Sequence, residues 1–159
     1  MPGERHGRPA LRAALPLLIG LSAEARGFYQ PPLPLPETLR GTVQVPVSPG
    51  GEAPADTLQQ LYPRLAACWR APEGLARFER TEITVRFSLR RDGSVIGPPR
   101  ITFAQAPADA RGRALLEEAA LSAIRRCTPA RVTPGLGGAI AGRPIALRFV
   151  YEGPRGRDL

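Results

Sequence analysis

Residues 83–90 read Ile83-Thr84-Val85-Arg86-Phe87-Ser88-Leu89-Arg90, and Asp92-Gly93 follow one residue later. Apolar and polar side chains alternate without a fault. Successive side chains of a strand point to opposite faces, so this stretch is a strand with one face buried and the other in water. Asp-Gly readily accepts the positive φ angles of a tight hairpin, and the chain is expected to turn there and return. Val95, Ile101 and Phe103 carry the returning strand. Gly97-Pro98-Pro99 interrupts it and removes two backbone donors, which points to a bulge or an edge position.

Upstream of this hairpin, Leu58, Leu61, Tyr62, Leu65, Cys68 and Trp69 recur at helical spacing. Thr57 and Gln60 stand as a capping box stands. Pro63 removes the bond to Gln59, so the helix is either kinked or regular only from Tyr62 onward. It should end before Pro72. Downstream, a second helix is expected from about Ala110 to Cys127, with Asp109 as N-cap. Its buried stripe is Leu116, Ala119, Ala120, Ala123, Ile124 and Cys127. Arg125 and Arg126 fall in the last turn, where cations suit the helix dipole, and Thr128-Pro129 stops it. Gly135-Leu136-Gly137-Gly138-Ala139-Ile140-Ala141-Gly142 reads as a loop. A last strand follows, with Ile145, Leu147, Phe149 and Tyr151 alternating with Ala146, Arg148 and Val150. The order is α-β-β-α-β. The fold class is α+β, a three-stranded antiparallel sheet with two helices packed on one face.

The N-terminus is a secretory signal in its layout. Arg5, Arg8 and Arg12 are followed by an apolar run from Ala13 to Leu21 and by the small-x-small triplet Ala23-Glu24-Ala25. The run falls short of the roughly 20 apolar residues that span a bilayer. Residues 1–25 are therefore expected to be a signal peptide cleaved after Ala25, placing the protein in the periplasm; an uncleaved signal would anchor it to the membrane instead. Cleavage removes three arginines and two glutamates and takes the formal charge from +8 to +7. Residues 26–55 form a proline-rich lead, expected to be extended or disordered. The folded domain is expected over residues 56–152, with a tail at 153–159.

Two cysteines in an exported chain favour a disulfide. Cys68 and Cys127 both fall near a helix end on the apolar stripe, so helices packed side by side would bring them together. Metal binding is not expected: two cysteines cannot complete a tetrahedral site, and the only histidine, His6, lies in the signal. The chain has no lysine; all 22 of its basic residues are arginine. These absences exclude histidine-based triads, Schiff-base lysines and the P-loop lysine. The remaining carboxylates read as surface or turn residues: Glu79, Glu82, Asp92, Glu117 and Glu118. No enzyme activity and no cofactor are expected. The arginines are scattered and aromatics are few, so no nucleic-acid motif is present.

Tyr62-Pro63 with Trp69, the strand with its Asp92-Gly93 hairpin, the proline-bearing return, the helix through Ala123 stopped at Pro129, and Pro144 to Glu152 together resemble the TonB/TolA C-terminal domain. The likeness covers residues 57 to 152. It implies a non-catalytic adaptor that binds an envelope or outer-membrane protein by adding a partner strand to its sheet edge. Energy-transducing members carry a membrane helix and a long spacer, from which this sequence departs. On this reading the last strand, Ile145, Ala146, Leu147, Arg148, Phe149, Val150 and Tyr151, is the partner-binding edge, unless the tail or the proline-rich lead covers it. The other reading is a basic envelope component held to anionic lipid or polysaccharide through its arginine surface.

Overall fold

The alternating stretch forms β2 (Thr81–Ser88), an interior strand of a four-stranded mixed sheet whose order is β1-β4-β2-β3. The computed structural model describes residue 3 and residues 37–48, 51–75, 80–106 and 109–153. The expected signal cleavage point, much of the lead and nearly all of the tail lie outside them. The class is α+β. In chain order the elements are β1 (Leu39–Val45), α1 (Leu58–Ala66), β2, β3 (Arg100–Gln105), α2 (Ala110–Arg126), α3 (Pro134–Ile140) and β4 (Pro144–Tyr151).

Two expectations are corrected, and one of the two alternatives at Pro63 is excluded. The sheet has a fourth strand, β1, which pairs in parallel with β4. It comes from the proline-rich lead, whose proline count conceals a proline-free run in which Leu39, Gly41, Val43 and Val45 alternate with Arg40, Thr42 and Gln44. The glycine-rich segment is a third helix rather than a loop. Thr133 caps it by accepting from the Leu136 N–H at 3.3 Å, Pro134 opens it, and Leu136 and Ile140 bury one side. Burial and capping outweigh the low helix propensity of glycine, and Gly137 is required because a Cβ there would overlap the Arg91 carbonyl. The first helix runs through Pro63 without restarting, from the Thr57 cap to Ala66.

The odd-numbered positions of β1, β2 and β4 face the helices. Val43, Val45, Ile83, Val85, Phe87, Ile145, Leu147, Phe149 and Tyr151 are buried there against Leu61, Leu65, Leu116 and Ile124. Each such side chain contributes about 1.5–3 kcal/mol by leaving water. Trp69 closes this core at one end, stacked on Phe149 at 5.7 Å between ring centroids and tilted against Tyr151 at 5.7 Å. Beside it Cys68 and Cys127 form a disulfide with Cα atoms 5.6 Å apart, and the Arg126 guanidinium donates to the Cys68 carbonyl at 2.7 Å. The ends of α1 and α2 are thus joined covalently and by hydrogen bonding.

Tyr62 lies over Gly41 and holds β1 against α1; a Cβ at Gly41 would be driven into its ring. The Tyr62 hydroxyl is buried and has no hydrogen-bond partner among the described residues. Burial pushes its pKa up, and the Arg143 guanidinium opposes this only in part. The unfolded chain therefore loses the Tyr62 proton near pH 10 while the folded chain retains it. Stability must fall as pH rises above that value. Tyr62→Phe removes an unpaired hydroxyl and keeps the ring, so it should be neutral or stabilising by up to about 1 kcal/mol. It should also reduce the alkaline loss, leaving the share due to buried Tyr151, whose pKa is raised too. Urea unfolding below and above pH 10 measures both effects, and destabilisation at neutral pH would contradict the assignment.

Candidate binding surfaces

The last strand was the expected docking edge, and its placement differs from that expectation. β4 is an interior strand. On one side it pairs antiparallel with β2, from Thr81↔Tyr151 to Ser88↔Pro144. On the other it pairs in parallel with β1, from Leu39↔Ile145 to Val45↔Tyr151. The backbone groups assigned to a partner strand are thus taken by the chain's own lead, the covering segment named above as the alternative. Ile145, Leu147, Phe149 and Tyr151 are buried beneath the helices. Ala146, Arg148 and Val150 belong to the uncovered face, where Val150 is nevertheless buried.

Seating β1 beside β4 requires three features. Val43 and Val45 enter the core, and residue 41 must lack a side chain because the Tyr62 ring fills that space. Leu39 packs at the margin of the same cluster. This β4 edge therefore accepts a parallel strand with glycine and valine at fixed alternate positions, the sort of side-chain selection by which strand-adding sites discriminate.

The uncovered face is built by the even-numbered positions. Arg148 reaches Glu82 of its own chain at 3.1 Å, and Arg80 reaches the other oxygen of that carboxylate at 3.0 Å. Arg148 also lies 5.7 Å from the centroid of Phe103, within cation–π range. Phe103 is on this face because of a bulge. Val85 pairs with Ile101 and Thr84 with Phe103, so Thr102 is an extra residue and every later side chain of β3 changes face. The Gly97-Pro98-Pro99 signal foretold an irregularity, but not one falling after Ile101, and alternation alone would have buried Phe103.

The family model described as Uncharacterised conserved protein UCP034077 matches residues 51–153. The chain belongs to this family. No curated protein and no solved structure matches the chain. The matched UCP034077 region contains α1 through β4, while β1 lies wholly upstream of it. Over the matched residues alone, β4 is the outermost strand of the order β4-β2-β3, and β1 comes from residues outside the match. Among the described residues, no cluster of three or more His, Cys, Asp or Glu is placed to hold a metal, and no helix is long and apolar enough to cross a membrane.

Proposed function

We propose that this protein is a non-catalytic binding module of the cell envelope, working as a periplasmic adaptor that holds a protein partner by strand pairing at the β4 edge. One observation carries the reading: a segment from outside the UCP034077 match, β1, already lies along that edge as an added parallel strand. An edge that receives one extended segment in register, with a glycine seat and two valine sockets, is suited to receive another of like pattern. The disulfide between Cys68 and Cys127 fits an oxidising compartment. The absence of lysine, and of any histidine beyond His6, supports binding rather than catalysis. On this reading β1 occupies the site until a partner strand displaces it.

Gly41→Ala tests the reading in the full-length chain. The added methyl meets the Tyr62 ring and should eject β1. Amides of residues 145–151 bonded to β1 should then exchange at least about tenfold faster, the behaviour of a locally opened element. The β2–β3 pair should stay protected. A synthetic peptide of residues 37–48 should restore protection when added in trans. Unchanged exchange along β4, loss of protection throughout the domain, or failure of the peptide to restore it would each refute the proposal.

A further inference from the structure

The uncovered face of the sheet carries a second feature, independent of the β4 edge. The register places Arg40 beside Ala146, Ala146 beside Arg86, and Arg86 beside Arg100, so three arginines share one row across the four strands. All three are exposed, and none has an acidic partner among the described residues. The neighbouring row holds Arg148, whose charge is met by Glu82, and that glutamate is shared with Arg80. The face therefore keeps a net positive charge near its centre.

Two apolar side chains stand with these arginines. Among the described residues, the large hydrophobics that remain exposed are Ile96 at 42% and Phe103 at 45%. Both lie on this face. Phe103 borders an open groove of about 650 Å³ floored by Thr84, Arg86, Ala146 and Arg148. Ile96 borders an adjoining groove of about 440 Å³, and the two grooves share Arg86 and Thr102. A guanidinium and a hydroxyl thus lie between two apolar contacts. Arginine and aromatic side chains are those that carry most binding energy at protein interfaces, and here both kinds line one groove.

From this juxtaposition we propose that the uncovered face binds an acidic segment of a partner protein, one whose carboxylates alternate with apolar side chains. Arg86 is the central anchor, making a bidentate carboxylate contact. Phe103 and Ile96 take the flanking apolar groups. Charge complementarity excludes a second copy of this chain, which is itself strongly basic. A nucleic-acid strand needs successive stacking rings, and Phe103 is the one exposed aromatic side chain among the described residues of this face. A membrane surface favours apolar side chains that project from a basic rim, whereas these two lie alongside grooves. The proposal does not rest on the strand-exchange reading, since it uses side chains of the face rather than backbone groups of the β4 edge.

The test is fluorescence anisotropy of the full-length protein with a short labelled peptide of alternating glutamate and leucine. A glutamine-leucine peptide of equal length is the neutral counterpart. The acidic peptide should bind and the neutral one should not. Arg86→Glu should weaken binding about tenfold or more, as reversal of a central interface charge does, and Phe103→Ala or Ile96→Ala should each weaken it about threefold to tenfold. Arg111→Glu, on the helical side of the molecule, changes the net charge equally and should weaken binding by less than about twofold once salt screens long-range attraction. Arg86, Phe103 and Ile96 are all exposed, so these variants should unfold at the wild-type temperature, which circular dichroism verifies. Equal loss in Arg111→Glu would reduce the effect to bulk charge and overturn the proposal. So would equal binding of the neutral peptide, or tighter Arg86-dependent binding of phosphatidylglycerol vesicles or oligothymidine than of the acidic peptide.

Discussion

Gly93→Ala is expected to destabilise the protein by about 3 kcal/mol, the sum of left-handed backbone strain and a backbone collision. Gly93 has φ of 81°, in the region where a Cβ meets the following carbonyl. In addition, its missing side chain is replaced by the carbonyl of Ala130, which a Cβ would overlap. The obstruction is backbone and cannot rotate away. The turn also accepts from the Ala130 N–H at 2.9 Å, so relieving the clash by moving the turn sacrifices that bond. A built-in comparison is Gly97→Ala. Gly97 also has positive φ, 67°, but open space lies where its Cβ would go. It should cost about 1 kcal/mol, the strain alone. Thermal unfolding should show Gly93→Ala melting about 12 °C lower than wild type and Gly97→Ala about 4 °C lower, on the usual scale for a domain of this size. Equal losses at the two positions would mean that the Ala130 contact contributes nothing.

Replacing both Cys68 and Cys127 with serine should cost about 4 kcal/mol, the loop-closure entropy released in the unfolded chain. The cross-link has a sequence separation of 59 and joins the ends of α1 and α2, enclosing β2, β3 and α2 in one covalent loop. The native state should survive, because the Arg126 bond to the Cys68 carbonyl and the stacking of Trp69 on Phe149 do not depend on the sulfurs. Trp69 is the single tryptophan and stands next to Cys68, so its fluorescence reports directly on this end of the core. Denaturant unfolding followed by that signal should shift to a lower midpoint with a steeper slope, because the unfolded chain without the cross-link is less compact and exposes more surface. The same shift should appear in the wild type under reductant. A loss below about 1 kcal/mol would mean that the unfolded ensemble is already restrained there.

How much of this was legible beforehand differs from element to element. The period-two run at β2, the Asp92-Gly93 turn, the caps at Thr57 and Asp109 and the stop at Pro129 are local rules. A strand face, a cap and a tight turn are each set by residues a few positions apart, so the sequence by itself determined the α+β class, the paired cysteines and the faces of β2 and β4. Three things were decided only by tertiary structure. A short run within a proline-rich lead became β1 because the β4 edge and the Tyr62 ring supply a seat that nothing near Gly41 in sequence announces. A glycine-rich segment became α3 because Leu136 and Ile140 gain burial exceeding the propensity cost of their neighbours. Phe103 reached the arginine face because one extra residue, Thr102, shifted the β3 register. Pairing partners and bulge positions are set by energies between residues far apart in the chain, and a pattern of spacing carries no record of them.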